Sequence, residues 1–219
     1  MFARIAPRYD LLNRVLSGRR DVAWRQSAIA LLGNPPGECL DLACGTFDLG
    51  LEALHQGKAI RVHGCDFCQP MLLAGTGKRQ GQAVTAAVGD ARQLPYADAS
   101  FDTAMVAYGW RNFPDSQLAL AELSRVLRPG GELLILEFFR PEGWWPRTFY
   151  GTFGRWVMPV LGGWLAGDAE AYRYLNRSIQ GFLSVSEATQ ALATNGFGCV
   201  RWRPFFGGVS HAVCARKGG

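Results

Sequence analysis

Lysine is scarce in this chain: only three of its 23 basic residues are Lys. Long apolar runs are missing as well. None approaches the roughly 20 residues needed to cross a bilayer, so no membrane-spanning helix is expected. The N-terminus lacks the apolar core of a signal peptide. There is no internal repeat and no low-complexity tract, which excludes a solenoid or a fibrous array. Histidine is rare, with three in 219 residues. Cys65 and Cys68 form a C-x-x-C, but a tetrahedral site needs two further ligands. His55 and His63 are not spaced to provide them, so no metal is expected. His211 reads as structural, on an edge strand. The six cysteines are irregularly spaced in a chain large enough to build its own core. Reduced thiols in a cytoplasm are therefore expected rather than disulfides.

What is present fits one domain: 219 residues, 48% of them hydrophobic. The net charge of +5 is unevenly spread. Residues 1–35 carry six Arg against two acids, residues 36–140 nine bases against twelve acids, and residues 141–219 eight bases against four. An acidic middle is thus flanked by basic ends. Such ends suit phospholipid head groups or nucleic acid; Arg enrichment from genomic base composition accounts for them equally well.

The chain is organised around Glu38–Gly50, ECLDLACGTFDLG. It reads as a buried strand (Cys39, Leu40, Leu42) that breaks at Gly45 and restarts as a helix, opening a βαβ unit. Upstream, residues 1–32 read as helical after Pro7, with Leu11, Leu12, Val15 and Leu16 on one face, and a second run from Trp24 to Leu32. Downstream, helices at Leu49–Gln56, Pro70–Lys78 and Leu118–Leu127 alternate with strands at Ile60–Cys65, Ala83–Val88, Phe101–Tyr108 and Glu132–Phe138. Arg128-Pro129-Gly130-Gly131 is expected to stop the third of these helices. The rhythm then breaks at 141–182, a long aromatic insertion with Trp144, Trp145, Phe149, Tyr150, Phe153, Trp156, Trp164, Tyr172 and Tyr174. A helix at Val185–Asn195 follows, then a hairpin of Phe197–Arg203 and Val209–Ala215. The expected fold is α/β: a doubly wound, seven-stranded sheet with a C-terminal antiparallel hairpin, the arrangement of class I S-adenosylmethionine-dependent methyltransferases.

In such sheets ligands bind outside the carboxyl ends of the strands. A dinucleotide loop, G-x-G-x-x-G, would need glycine at position 47, which is Phe47 here, and Asp48 would oppose a phosphate at the helix start. A nucleoside without phosphate fits better, and S-adenosylmethionine is the expected cofactor. Asp66 ends the second strand, where a carboxylate accepts both ribose hydroxyls, and Asp90 follows the third, placed to accept from an adenine amino group. The cofactor set is Thr46, Asp66, Phe67, Asp90, Ala91 and Ala107, with Asp41, Gly45 and Asp48 lining the methionine end. For Asp41 and Asp48, helix and loop capping is the competing reading.

Several longer motifs are more specific: MFARIAPRYDLLNRVLS (Met1 to Ser17), GDARQLPYADASFD (Gly89 to Asp102), YGWRNFPD (Tyr108 to Asp115), RVLRPGGELLILEF (Arg125 to Phe138) and GDAEAYRYL (Gly167 to Leu175). With LDLACGTFDL they make the chain resemble the ubiquinone/menaquinone-biosynthesis C-methyltransferase family over nearly its full length. The resemblance implies transfer of a methyl group from S-adenosylmethionine to a ring carbon of a polyprenylated quinol, either demethylmenaquinol or the ubiquinone-pathway benzoquinol. Three positions depart from the family pattern: Phe47 where glycine is usual, Asp21 where histidine is usual, and Ala107 where a small polar residue is usual. The chain also opens almost on its first motif, so a short leader common in the family is expected to be absent.

On this reading the whole of 1–219 is one methyltransferase domain, with 1–35 a helical lid and 141–182 an aromatic cover over the substrate pocket. Arg111, just past the fourth strand, is the candidate for stabilising a developing phenolate or holding a water that takes the proton, with Asn112 holding the turn. Arg111 pairing with Asp115 is the plainer alternative. Tyr9 and Tyr172 are candidates for closing the quinol pocket, although aromatics there serve a core equally well. Partners are a quinol, a membrane surface met peripherally at its inner face and a second copy of the chain, but no nucleic acid. Competing functions are methylation of another small molecule, a nicotinamide oxidoreductase, and a non-catalytic quinone-pathway subunit whose Phe47 occludes the cofactor.

Overall fold

In a computed structural model of the chain, the described residues are 6, 14, 17, 19–152 and 169–219. Most of the helix expected after Pro7 lies outside them, as do Tyr9, Phe153, Trp156 and Trp164. The first described helix is α1 (Arg20–Ile29), followed by β1 (Gly37–Leu42), α2 (Asp48–His55) and β2 (Ala59–Asp66). Two short helices, α3 (Gln69–Ala74) and α4 (Thr76–Arg79), lead to β3 (Val84–Val88) and β4 (Phe101–Ala107). After a 3₁₀ turn at Trp110–Asn112 come α5 (Ser116–Val126), β5 (Leu127–Glu137), α6 (Trp144–Phe149) and α7 (Ala169–Gln180). The chain ends with α8 (Val185–Thr194), β6 (Phe197–Phe205) and β7 (Ser210–Lys217).

The seven strands form one sheet in the order β3-β2-β1-β4-β5-β7-β6. The first five run parallel, and β7 pairs antiparallel with both β5 and β6. The chain leaves β1 toward β2 and β3 and returns on the other side as β4, so the crevice between β1 and β4 is where a ligand is expected. Apolar runs explain the burial of the central strands. Cys39, Leu40 and Leu42 are almost fully buried, as are Leu133, Leu134, Ile135 and Leu136 in β5. On one face α5 and α8 pack with Trp110, Phe139 and Phe182; on the other α1 and α2 pack with Phe47, Met105 and Phe205. Asp115 caps α5 by accepting from the backbone N–H groups of Gln117 and Leu118, and Ser184 with Glu187 makes a reciprocal capping box on α8.

Three expectations need correction. Arg128-Pro129-Gly130-Gly131 does not lie between helix and strand: β5 already starts at Leu127, and Gly130 at φ +76° accommodates a register shift against β4. The helix read over Pro70–Lys78 is two helices parted at Gly75, where the Phe47 ring leaves no room for a side chain. His211 is not on an edge strand, since β6 covers the outer side of β7.

Candidate active site

Most of the strand ends at the carboxyl edge of the parallel half surround a cleft of about 360 Å³. Leu42, Ala43 and Gly45 line it from β1, Asp66, Phe67 and Cys68 from β2, and Gly89, Asp90 and Ala91 from β3. Ala107, Tyr108, Gly109 and Asn112 close it from β4. The loops after β1 and β4 meet tightly: a side chain on Gly109 would bring its Cβ within 2.5 Å of Ala43. Gly45, Ala43 and Tyr108 all have positive φ, so strained backbone borders the cleft on both sides.

Asp66 is held from two directions. The Gly45 N–H donates to its Oδ2 and the Cys68 N–H to its Oδ1, each at 2.8 Å. Burial raises its pKa above the usual carboxylate value. A carboxylate so fixed retains lone pairs for two adjacent hydroxyls. Phe67 beside it is 77% exposed and offers a flat face at the rim. Asp90 is clamped by the Arg92 guanidinium, which holds its carboxyl below the usual range. Among the described residues Arg92 is the one base lining the cleft, and it is paired with Asp90. An acidic lining with its single base neutralised disfavours phosphate and suits a nucleoside with an uncharged ribose edge. The residues present therefore fit S-adenosylmethionine.

Gly45, Asp66, Phe67, Asp90, Ala91, Ala107 and Asn112 are thus brought to one cleft. Asp41, Thr46 and Asp48 are not among its lining residues; they fasten the loop from beneath. The Gly50 N–H donates to Asp41 Oδ2 at 2.9 Å, while Oδ1 is buried with no hydrogen-bond partner among the described residues. Burial pushes the Asp41 pKa up to about 7. Thr46 accepts from Lys78 Nζ at 3.0 Å. Asp48 bridges Lys78 and Arg25, and Arg25 also pairs with Asp21, so an ionic chain ties α1 to the cofactor loop.

Phe47 does not enter the cleft. It sits at φ +68° before α2 and turns its ring into the core, fully buried. A Cβ on Gly64 would lie 2.5 Å from that ring, and one on Gly75 2.6 Å. These two glycines make the room for it.

Arg111 also lies outside the cleft lining. Its guanidinium donates to Glu137 Oε1 at 2.6 Å and to the Tyr108 carbonyl at 2.7 Å. Glu137 is fully buried, also accepts from the Phe138 N–H at 2.8 Å, and has its pKa raised by that burial. The partner of Arg111 is therefore Glu137, not Asp115. Asn112 faces the cleft, donates to the Tyr108 carbonyl and accepts from the Tyr174 hydroxyl at 3.0 Å. Tyr9 lies outside the described residues, and Tyr172 falls on α7 among residues whose side chains are not described.

Sequence reasoning missed Tyr108, Met71, Phe113 and Pro114 as lining residues. Tyr108 stacks on Phe138, centroids 4.6 Å apart, and its buried hydroxyl has no hydrogen-bond partner among the described residues. Its place at the end of β4 was a usable signal. Glu137 was missed too, although a charge closing the apolar run LLIL is itself conspicuous.

A sequence profile of the ubiE/COQ5 methyltransferase family matches residues 1–217. The chain is 42% identical to the demethylmenaquinone methyltransferase of Thermus thermophilus, over 90% of this chain and 91% of that one. It is 40% identical to the ubiquinone/menaquinone biosynthesis C-methyltransferase of Syntrophotalea carbinolica, over 95% and 89%. Among solved structures, a Thermotoga maritima SAM-dependent methyltransferase superposes with a TM-score of 0.71 at 19% identity, covering 99% of this chain and 98% of that one. A Haemonchus contortus phosphoethanolamine N-methyltransferase in complex with S-adenosyl-L-methionine gives 0.66 at 16%, covering 89% and 52%. The last two likenesses concern the fold alone. With this fold, a phosphate-averse cleft at the switch point and kinship over nearly the whole chain, the protein belongs to the ubiE/COQ5 methyltransferase family and is an S-adenosylmethionine-dependent C-methyltransferase of quinone biosynthesis.

Proposed function

We propose that the acceptor is a polyprenylated naphthoquinol, demethylmenaquinol, methylated at a ring carbon. The observation that carries this is the far wall of the cleft, where Tyr108, Phe113, Pro114 and Asn112 present aromatic and apolar surface with one amide. A flat, largely apolar ring with a hydroxyl fits that wall better than a polar acceptor does. The Thermus relative, named a demethylmenaquinone methyltransferase, supports the naphthoquinol over the benzoquinol.

Asp66, Asp90, Phe67 and Ala91 would hold S-adenosylmethionine, which would supply an electrophilic methyl group. Alignment of the ring carbon with that methyl provides much of the rate. Asn112 offers the amide that orients the quinol hydroxyl, and the Tyr174 hydroxyl fixes the rotamer of that amide. Arg111 acts through position. By holding the Tyr108 carbonyl it keeps the left-handed turn that aims Asn112, while its charge is spent on Glu137. Residues 1–35 serve as a lid, a role supported by the bond from Arg25 to Asp48, and 141–182 serve as a cover, supported by the bond from Tyr174 to Asn112.

The test is turnover with reduced and oxidised demethylmenaquinone, a demethylated benzoquinol and a soluble catechol. Methylation of the reduced naphthoquinol, with none of the oxidised form, is expected. Turnover of the catechol alone would point to another small molecule.

A further inference from the structure

The carboxyl edge of the sheet continues beyond the cleft into the antiparallel half, where its character changes. In the pairing of β5 with β7, Glu137 lies opposite His211, so the turn between β6 and β7 emerges at the same edge as the cleft. α6, which follows β5, lies against that turn. Together they expose large aromatic side chains. Trp144 is 78% exposed, Trp145 42% and Phe206 38%. Their rings touch in sequence, Trp144 to Trp145 at 6.1 Å and Trp145 to Phe206 at 6.4 Å between centroids. The Arg20 guanidinium lies over Phe206 at 4.6 Å.

The ridge is rigidly built. Gly207, at φ +64°, lets the turn lie flat on Trp145, since a Cβ there would come within 2.6 Å of the indole. Arg147 is exposed on α6 and Arg203 on β6, the strand that leads into the turn; Glu142, just before α6, is exposed as well. The ridge is also joined to the cleft through aromatic rings. Tyr108 of the cleft wall stacks on Phe138, Phe138 meets Trp24 at 6.4 Å, and Trp24 stacks on Phe205 at 6.1 Å, next to Phe206.

Indole rings with guanidinium neighbours are the side chains that settle at the head-group level of a bilayer. We propose that this ridge of Trp144, Trp145, Phe206 and Arg20 docks the enzyme on an anionic membrane surface. Docked so, the sheet's carboxyl edge faces the lipid. The mouth of the cleft, on that same edge, then faces the layer that holds the quinol. The inference rests on the polyprenylated acceptor proposed above, and binding to lipid is read without turnover, so the two fail separately.

The experiment is co-sedimentation of the full chain with vesicles of phosphatidylcholine, with and without phosphatidylglycerol. Alongside it run thermal melting, light scattering and turnover of a short-tailed quinol in solution. The wild type is expected on the phosphatidylglycerol vesicles, released by salt, because the attraction is partly electrostatic. Trp144→Ser is expected to weaken partitioning about tenfold and Arg20→Gln by several-fold, with melting unchanged. Wild-type indifference to anionic vesicles, or variants that partition like the wild type, would overturn the proposal. So would a dimer dispersed by Trp144→Ser, which would make the ridge an interface between copies. Absence of turnover on every quinol, with vesicle binding intact, would instead sink the proposed acceptor.

Discussion

The two halves of the sheet end at the same edge and treat polarity in opposite ways. In the parallel half, Asp66 and Asp90 reach the cleft, and each is fixed by the main chain or by Arg92. Beyond β4 the last carboxylate, Glu137, is fully buried on Arg111 and the surface beyond it is aromatic. On the function and the docking proposed above, the difference separates two tasks within one edge: a preorganised polar seat for a nucleoside, and an approach for a ring that carries a lipid tail. Where a strand's terminal acid points decides which task that strand serves.

The largest expected effect breaks the antiparallel side of this comparison. Glu137→Ala leaves the Arg111 charge buried without its partner, at a cost of about 3–5 kcal/mol. Chemical denaturation should show that loss. The conservative Glu137→Gln should keep more of the stability and lower kcat more than the affinity for S-adenosylmethionine.

Phe47→Gly sharpens the polar side. Removing a fully buried phenylalanine opens a cavity, while relief of its left-handed backbone returns about 1–2 kcal/mol, for a net loss of about 2–4 kcal/mol. Because the ring faces Gly64 and Gly75 and not the cleft, calorimetry should find cofactor affinity nearly unchanged.

A third effect is a pH dependence. Asp41 has a folded pKa near 7, whereas a free Asp lies at about 3.9. Between those values the folded state binds more protons than the unfolded one, so stability falls as pH rises through the window and levels off above it. Asp41→Asn removes that slope. Its stability relative to wild type should therefore grow from pH ~4 to pH ~7, as denaturation at several pH values would show.

Much of this architecture was legible because β1 and β5, buried on both faces, read as continuous apolar runs, and the acids Asp66 and Asp90 mark the ends of the shorter runs that follow β1. The direction of a side chain was not legible. Phe47 reads as an obstruction in a glycine-poor loop. Only its φ of +68° and the spaces at Gly64 and Gly75, seventeen and twenty-eight residues away, turn the ring inward. Arg111 reads as a group at the reacting centre for the same reason. Its position past β4 is clear from sequence, but the buried Glu137 that captures it is set by the pairing of β4 with β5. Tyr108 could be placed at the end of β4 from sequence, but its left-handed backbone could not.

The central claim is that the cleft between β1 and β4, open despite Phe47, seats the cofactor through Asp66. Calorimetric titration of wild type and Asp66→Ala with S-adenosylmethionine tests it most directly. Micromolar binding by the wild type and a loss of about a hundredfold or more in the variant, from the lost ribose contacts and the freed Gly45 and Cys68 N–H groups, is the predicted result. Equal affinity in the two proteins, or no binding by the wild type, would contradict it.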